Sequence, residues 1–172
     1  LPQDEFKTFI SNWEKYKFTQ LYEQFSSDVK GNVNKEEFAK RFEKVYGDID
    51  VKDLAVSFEP PTEKVEPNDK GEVTFSYDVS METVAGPIEF TEKATLVLEE
   101  TEDEKEWFVK WNPSMFFPDM EEGDGIGLTI SEPARGEILD RNGVALAENG
   151  VVYEIGMVPQ DLREQKDSVI KT

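Results

Sequence analysis

The sequence predicts an α+β fold, in which N-terminal helices pack on a curved antiparallel β-sheet and a β-hairpin arm follows. Three observations support this prediction. Apolar residues first recur at helical spacing, and then at every second position between Leu54 and Trp111. Further on, Asp140-Arg141-Asn142-Gly143 separates two short apolar segments, as the turn of a hairpin does. Helices followed by an antiparallel meander are typical of α+β domains.

The first expected helix spans residues 4–26, with Asp4 as its N-cap. Its main apolar stripe comprises Phe6, Phe9, Ile10, Trp13, Leu21 and Phe25. Phe18 and Tyr22 form a second stripe, which indicates contacts on two sides of the helix. A polar stretch with Gly31 and Asn32 is expected to end this helical pattern.

A second helix is expected to begin at Asn34, because Glu37 follows three residues later and the pair resembles a capping box. Gly47 stands where a glycine after the helix end is expected. The predicted buried stripe of this helix comprises Phe38, Phe42 and Val45.

Four strands are expected next, each with one apolar and one polar face. Pro60-Pro61 ends the first strand, Gly86-Pro87 marks the turn after the second, and an acidic run from Glu99 to Glu106 forms the next loop. In strand order, the apolar positions are Leu54, Val56 and Phe58; Val73, Phe75, Tyr77, Val79 and Met81; Ile88, Phe90, Ala94, Leu96 and Leu98; Trp107, Val109 and Trp111. We expect Trp13, Phe42, Phe75 and Trp111 to share one core.

The pattern changes near Pro118, so we predict a domain at residues 1–118 and a distinct arm at residues 119–172. Within the arm, Ile138-Leu139 and Val144 to Leu146 flank the predicted hairpin turn. A hairpin alone is marginal in water, so we expect a strand at 151–158, or a neighbouring chain, to complete it.

Composition excludes several classes of function. The chain of 172 residues carries 19 basic and 38 acidic side chains, and its net charge of −19 disfavours nucleic acid as a partner. Histidine and cysteine are both absent, which excludes a Cys/His zinc site, a thiol nucleophile, a Ser-His-Asp triad and a disulfide. We predict no cofactor and no metal. No apolar run approaches the roughly 20 residues that a membrane span needs.

Two motifs suggest chemistry but fail on inspection. Ser27-Asp28-Val29-Lys30 has the S-x-x-K spacing of penicillin-binding active sites, yet the S-x-N and K-T-G motifs that complete such a site are absent. Asp48, Asp50 and Glu59 stand at three ligand positions of an EF-hand loop. However, Lys52 and Asp53 occupy the positions that need a ligand oxygen and a glycine. We therefore predict a polar turn and solvated loop charges.

Two further segments resemble a known family. The first is Trp111-Asn112-Pro113-Ser114, with Phe117-Pro118 just beyond it, and the second is the run from Arg135 to Gly143, R-G-E-I-L-D-R-N-G. The second run resembles the signature that opens the non-catalytic region of class B penicillin-binding proteins. The first resembles the end of the N-terminal domain found in the methicillin-resistance subgroup of that class. This domain has a nuclear-transport-factor-two-like fold, in which helices pack on a curved antiparallel sheet.

The resemblance implies that residues 1–118 form this N-terminal domain, and that residues 119–172 are a linker and the start of the dimerisation region. It further implies an extracytoplasmic protein of a bacterial cell membrane, with an anchor upstream of Leu1 and a transpeptidase domain downstream of Thr172. That downstream domain would cross-link peptidoglycan and be acylated by β-lactams, so this chain would hold no catalytic residue. Its expected partners are the downstream dimerisation and transpeptidase domains, with peptidoglycan or cell-wall proteins as further candidates.

The signature residues are expected to serve as scaffold. Asn142 and Gly143 suit the turn, Gly136 permits close backbone approach, and Arg135 and Asp140 could pair or bond backbone groups. The full predicted set is Trp111, Pro113, Ser114, Pro118, Arg135, Gly136, Asp140, Arg141, Asn142 and Gly143.

An alternative function is a free-standing small-molecule-binding or isomerase-like domain of the same fold. Some relatives use a pocket aspartate with a tyrosine, but Tyr77 and Asp78 are adjacent on a strand and must point to opposite faces. The hairpin signature also speaks against this alternative, because a self-contained pocket protein has no use for it.

Overall fold

A computed structural model describes residues 1–101, 104–131, 138–139, 141–142, 145–147 and 152–158. Its helices are α1 (Pro2–Glu14), α2 (Phe18–Glu23), α3 (Ser27–Asn32) and α4 (Lys35–Asp48), with a 3₁₀ turn at Pro113–Met115. Its strands are β1 (Lys52–Ser57), β2 (Glu72–Thr83), β3 (Gly86–Glu100), β4 (Lys105–Val109), β5 (Gly125–Ser131), β6 (Ile138–Leu139), β7 (Ala145–Ala147) and β8 (Val152–Val158). The predicted α+β class is confirmed.

The single helix predicted over residues 4–26 is wrong. The structure divides this segment into α1 and α2, with Tyr16 between them in the left-handed region at φ 55°. Asp4 is not the N-cap, because α1 begins at Pro2 after Leu1. Proline suits a first helical position, where its missing N–H would have no partner. The polar stretch predicted as a break instead forms α3, and Ser26 Oγ caps it by accepting the Val29 N–H.

Helices α1 and α4 end in the same way, and neither uses glycine. After α1, the Lys17 N–H donates to Asn12 O and the Tyr16 N–H to Trp13 O. After α4, the Val51 N–H donates to Tyr46 O and the Asp50 N–H to Gly47 O, and Asp50 has φ 50°. This double bond pattern is the Schellman motif, which usually places glycine in the left-handed position. Gly47 lies inside α4, so its predicted role after the helix end is wrong.

The predicted N-cap of α4 is confirmed. Asn34 Oδ1 accepts the N–H groups of Glu36 and Glu37 at 2.9 and 3.1 Å. These bonds satisfy two of the donors that a helix start leaves without partners. The buried face of α4 contains Phe38, Phe42 and Val45, as predicted.

The first four strands form one antiparallel sheet in the order β1-β2-β3-β4. Along β2, buried and more exposed residues alternate strictly, and the buried ones are Val73, Phe75, Tyr77, Val79 and Met81. The helices cover this apolar face. Trp13, Phe42, Phe75 and Trp111 all lie in one buried cluster between helices and sheet, as predicted.

The arm differs from expectation in its strand pairing. The predicted hairpin strands are present as β6 and β7, which pair antiparallel. The predicted final strand is also present as β8, but it pairs with β5 rather than completing the hairpin. Strand β5 was not predicted. Along the chain, β5 precedes the hairpin segment and β8 follows it.

Candidate functional site

The space between helices and sheet, where a fold of this type can hold a ligand, is packed with aromatic rings. The ring centroids of Trp13 and Phe116 lie 4.5 Å apart in a stacked arrangement. Phe42 meets the same Phe116 ring edge-on at 4.9 Å. Such pairs are favourable beyond the area that they bury. The described interior is therefore a core of side chains.

The two central tyrosines are bound within that core. Tyr77 donates its hydroxyl to Met115 O at 2.9 Å, and Tyr46 accepts the Trp13 Nε1–H at 2.8 Å. Burial raises the pKa of both phenols well above the usual value, and for Tyr77 the nearby Glu92 carboxylate adds to the effect. Both hydroxyls therefore stay protonated at neutral pH. Asp78 lies exposed on the opposite face and accepts from Thr91 Oγ1, as the strand geometry requires.

The S-x-x-K segment lies on α3, and its serine and lysine bond to different partners. Ser27 Oγ donates to Glu99 Oε1 at 3.0 Å on the neighbouring sheet. Lys30 Nζ donates to the Glu23 carbonyl at 2.7 Å. A lysine engaged with a backbone carbonyl is not placed to accept a proton from the serine.

The EF-hand-like segment holds its charges in local ion pairs. Lys52 Nζ lies 2.6 Å from Asp50 Oδ2, and Asp48 pairs with Lys44. The segment continues into β1 rather than into a helix. Within the ranges that the structure describes, no group of three acidic side chains is arranged to hold a metal ion.

Trp111, the first residue of the first motif, joins the helices to the end of the sheet. Its indole stacks on Phe25 at 5.2 Å and meets Phe38 and Phe42 nearly at right angles. Its Nε1 is buried without a hydrogen-bond acceptor in the described structure. Contact between an indole N–H and a ring face can partly compensate such a donor.

The rest of the first motif turns the chain into the core. Pro113 begins the 3₁₀ turn, and Ser114 Oγ donates to Asn112 Oδ1 at 2.6 Å beside it. Phe116 and Phe117 follow and are buried. Pro118 is partly buried, and the next residue, Asp119, has φ 60°. The motif thus forms a turn that leads the chain into the core, and its role as part of a structural signature stays a prediction.

Arg41 of α4 connects the domain to the start of β5. Its guanidinium donates to the Asp124 carbonyl and lies 3.7 Å from Glu122 Oε1. Asp124 is itself buried, and its carboxylate accepts the Glu121 N–H at 3.0 Å. The sequence analysis did not identify these contacts. Arg41 is the one arginine of α4, whose other cations are lysines, but the sequence does not indicate that it contacts the segment after Pro118.

This junction continues the core beyond Pro118. Met120 and Ile126 are 2% and 8% exposed and belong to the same buried cluster as the helices and sheet. The sequence contains an indication of a strand after Pro118, because Ile126, Leu128 and Ile130 alternate as strand residues do.

Only part of the second motif lies within the residues that the structure describes. Arg135, Gly136, Asp140 and Gly143 lie outside the described residues, and their predicted roles stay predictions. Arg141 and Asn142 are exposed in the turn segment between β6 and β7.

Comparisons with known proteins agree with the two motifs. A family model described as the NTF2-like N-terminal transpeptidase domain matches residues 1–124, and a penicillin-binding protein dimerisation domain matches residues 130–172. Penicillin-binding protein 3 of Bacillus subtilis (strain 168) is 36% identical over 170 residues, which are 99% of this chain and 25% of that protein. The chain therefore spans about a quarter of the length of this relative.

Across the described ranges, none of the helices has the length and apolar character to cross a membrane. The aromatic core, the turn at Trp111 to Pro118 and the matched families lead to one assignment. The chain belongs to the family of NTF2-like N-terminal transpeptidase domains and continues into a penicillin-binding protein dimerisation domain.

Proposed function

We propose that this chain is the non-catalytic N-terminal stem of a membrane-anchored class B penicillin-binding protein. In this role it is a spacer and interaction platform at the extracytoplasmic face of a bacterial membrane. Its main partners are the dimerisation and transpeptidase domains further along the same protein. The observation that supports a mechanical rather than a chemical role is the interior, where rings such as Trp13 and Phe116 fill the space that a substrate would need.

A spacer must transmit position, so its connection to the next domain should be stiff. The contacts of Arg41 with Asp124 and Glu122, together with buried Met120 and Ile126, supply such a connection. Packed cores resist deformation, because displacing one side chain requires its neighbours to move. The net charge of −19 also disfavours contact with anionic lipid head groups, which suits a domain that stands off the membrane.

Acylation tests the non-catalytic part of the proposal. We expect no labelled band when this chain is incubated with a fluorescent penicillin and run on a denaturing gel, because Ser27 bonds Glu99 and lacks a basic partner. A full-length penicillin-binding protein is the positive control. A band that disappears in Ser27→Ala would contradict the proposal.

Domain replacement tests the spacer part. In the parent protein, deletion of residues 1–118 should impair growth support while leaving penicillin acylation of the purified protein intact. Replacement of the same residues by an unrelated compact domain of similar size should restore growth. If the replacement fails as the deletion does, a specific surface of this domain is required and a simple spacer is excluded.

A further inference from the structure

At each outer edge of the four-stranded sheet, another part of the chain bonds to one residue of the edge strand. At the β1 edge, the Val56 N–H donates to Glu14 Oε1 at 2.9 Å. At the β4 edge, Val109 exchanges backbone bonds with Gln24 and Ser26 at 2.8 and 2.9 Å. Covered edges are expected, because a free strand edge is a template for pairing with another chain.

On the side that faces away from β2, one stretch of β3 makes no backbone bond to any described residue, although the 3₁₀ turn lies near this strand. Strand β4 pairs only with Leu96–Glu100, and the Lys110 N–H extends the contact by one bond, to Thr95 O. Because backbone groups of alternate residues point to the same side of a strand, those of Glu89, Thr91 and Lys93 point to the same side as Thr95 O.

These three residues are exposed, and within the described ranges no backbone group bonds to this edge. The Lys93 N–H contacts its neighbour Glu92 Oε2 at 3.2 Å, and the Thr91 hydroxyl donates to Asp78 on the exposed face of the sheet. We call this side of β3, from Glu89 to Lys93, the free edge, and it has a defined end on each side. Pro87 has no N–H to offer at one end, and Thr95 O is already bonded at the other.

We propose that this edge pairs antiparallel with the same edge of a second copy, about a two-fold axis through Thr91. Thr91 is the midpoint between Pro87 and Thr95, so symmetric pairing about it uses the whole free edge. This register places Glu89 of each copy opposite Lys93 of the other. The edge is therefore self-complementary in charge, as an isologous interface requires.

The inner face of the same stretch supports a copy of this chain as the occupant. Ile88 and Phe90 are only partly buried although they pack against the core. In the proposed register, Phe90 stands diagonally across from its own counterpart, within reach of an aromatic side chain. Pairing would bury both rings further and join the two sheets into one. This inference is independent of the proposed spacer role.

Cysteine cross-linking tests the register directly, because the chain contains no cysteine. In Thr91→Cys, paired copies would bring the two Cα atoms to about 5.5 Å, within the disulfide range of roughly 4.4–6.8 Å. We expect a covalent dimer under mild oxidation. Two control variants should stay monomeric. Lys93→Cys lies on the same edge, but the two Lys93 positions do not face each other in this register. Ser76→Cys lies on the exposed face of β2. Equal cross-linking in all three variants, or none in Thr91→Cys, would refute the pairing.

Charge reversal gives an independent test by sedimentation over a range of concentrations. The chain should dimerise reversibly, and Lys93→Glu or Glu89→Lys should each raise the dissociation constant by roughly tenfold, because like charges then face each other twice. The double variant E89K/K93E should return to the parent value, whereas Lys70→Glu, an exposed site away from this edge, should leave it unchanged. A chain that is monomeric throughout, or a double variant that fails to recover, overturns the proposal.

Discussion

Trp111 illustrates how one side chain joins three parts of this domain. It lies beyond the last strand of the sheet, stacks on Phe25 after α2, and contacts Phe38 and Phe42 of α4. Its burial was predictable, because it continues the alternation of Trp107 and Val109. Its partners were not, because helical and strand periodicity identify an apolar face without saying which residues meet across the core.

Trp111→Ala should lower the free energy of unfolding by about 3–5 kcal/mol, the usual cost of truncating a buried aromatic. That loss is a large share of the roughly 5–15 kcal/mol that stabilises a typical domain. Chemical denaturation followed by circular dichroism measures it. Trp107→Ala is the matched control, since Trp107 is on the same strand face but only partly buried, and should cost clearly less. Equal midpoints for Trp111→Ala and the parent would show that this face is assigned wrongly.

At the scale of elements, the start of α4 was predictable from the sequence, whereas the starts of α1, α2 and α3 and the ends of α1 and α4 were not. Asn34 has a side chain that can accept backbone N–H groups, so the start of α4 was evident in the sequence. The ends of α1 and α4 place Tyr16 and Asp50 in the left-handed region, where glycine is the usual signal. Tertiary contacts compensate at Tyr16, whose ring packs edge-on against Tyr46 at 5.9 Å. Such compensation is invisible to a reading of local sequence.

Strands of the arm show the same limit. The apolar residues of β8 indicated a strand, but β5 was not predicted, and pairing between segments more than 20 residues apart depends on the fold as a whole. The register of β2 with β3 was simpler to anticipate, because a short turn connects them.

Asn34→Ala should destabilise the domain by about 1 kcal/mol, because the N–H groups of Glu36 and Glu37 lose their acceptor. Asn34→Asp keeps the acceptor and places a negative charge at the helix start, so it should be neutral or slightly stabilising. Thermal unfolding of the three proteins under identical conditions measures both effects. A loss of similar size in Asn34→Asp would mean that the amide nitrogen, rather than the oxygen, supports the helix.

For the whole molecule, the central question is where the domain ends. The predicted boundary at Pro118 rests on the end of the strand pattern and on the change to an acidic, glycine-containing stretch. The buried cluster continues to Met120 and Ile126, and the matched domain family continues to residue 124. The alternating pattern of the sheet ends at Trp111, but side-chain packing shows that Met120 and Ile126 also belong to the core.

We therefore expect a fragment of residues 1–118 to fold cooperatively but with lower stability than a fragment of residues 1–131. The shorter fragment loses the burial of Met120 and Ile126, each contributing about 1.5–3 kcal/mol when fully buried, and the Arg41 contact with Asp124. Denaturant midpoints of both fragments and of the full chain give the comparison, and Met120→Ala in the full chain isolates one part of the loss. If the two fragments are equally stable, the junction adds nothing to the core and Pro118 is the functional end of the domain. If residues 1–118 do not fold at all, the segment through β5 is an integral part of the domain, and the dimerisation region begins only after it.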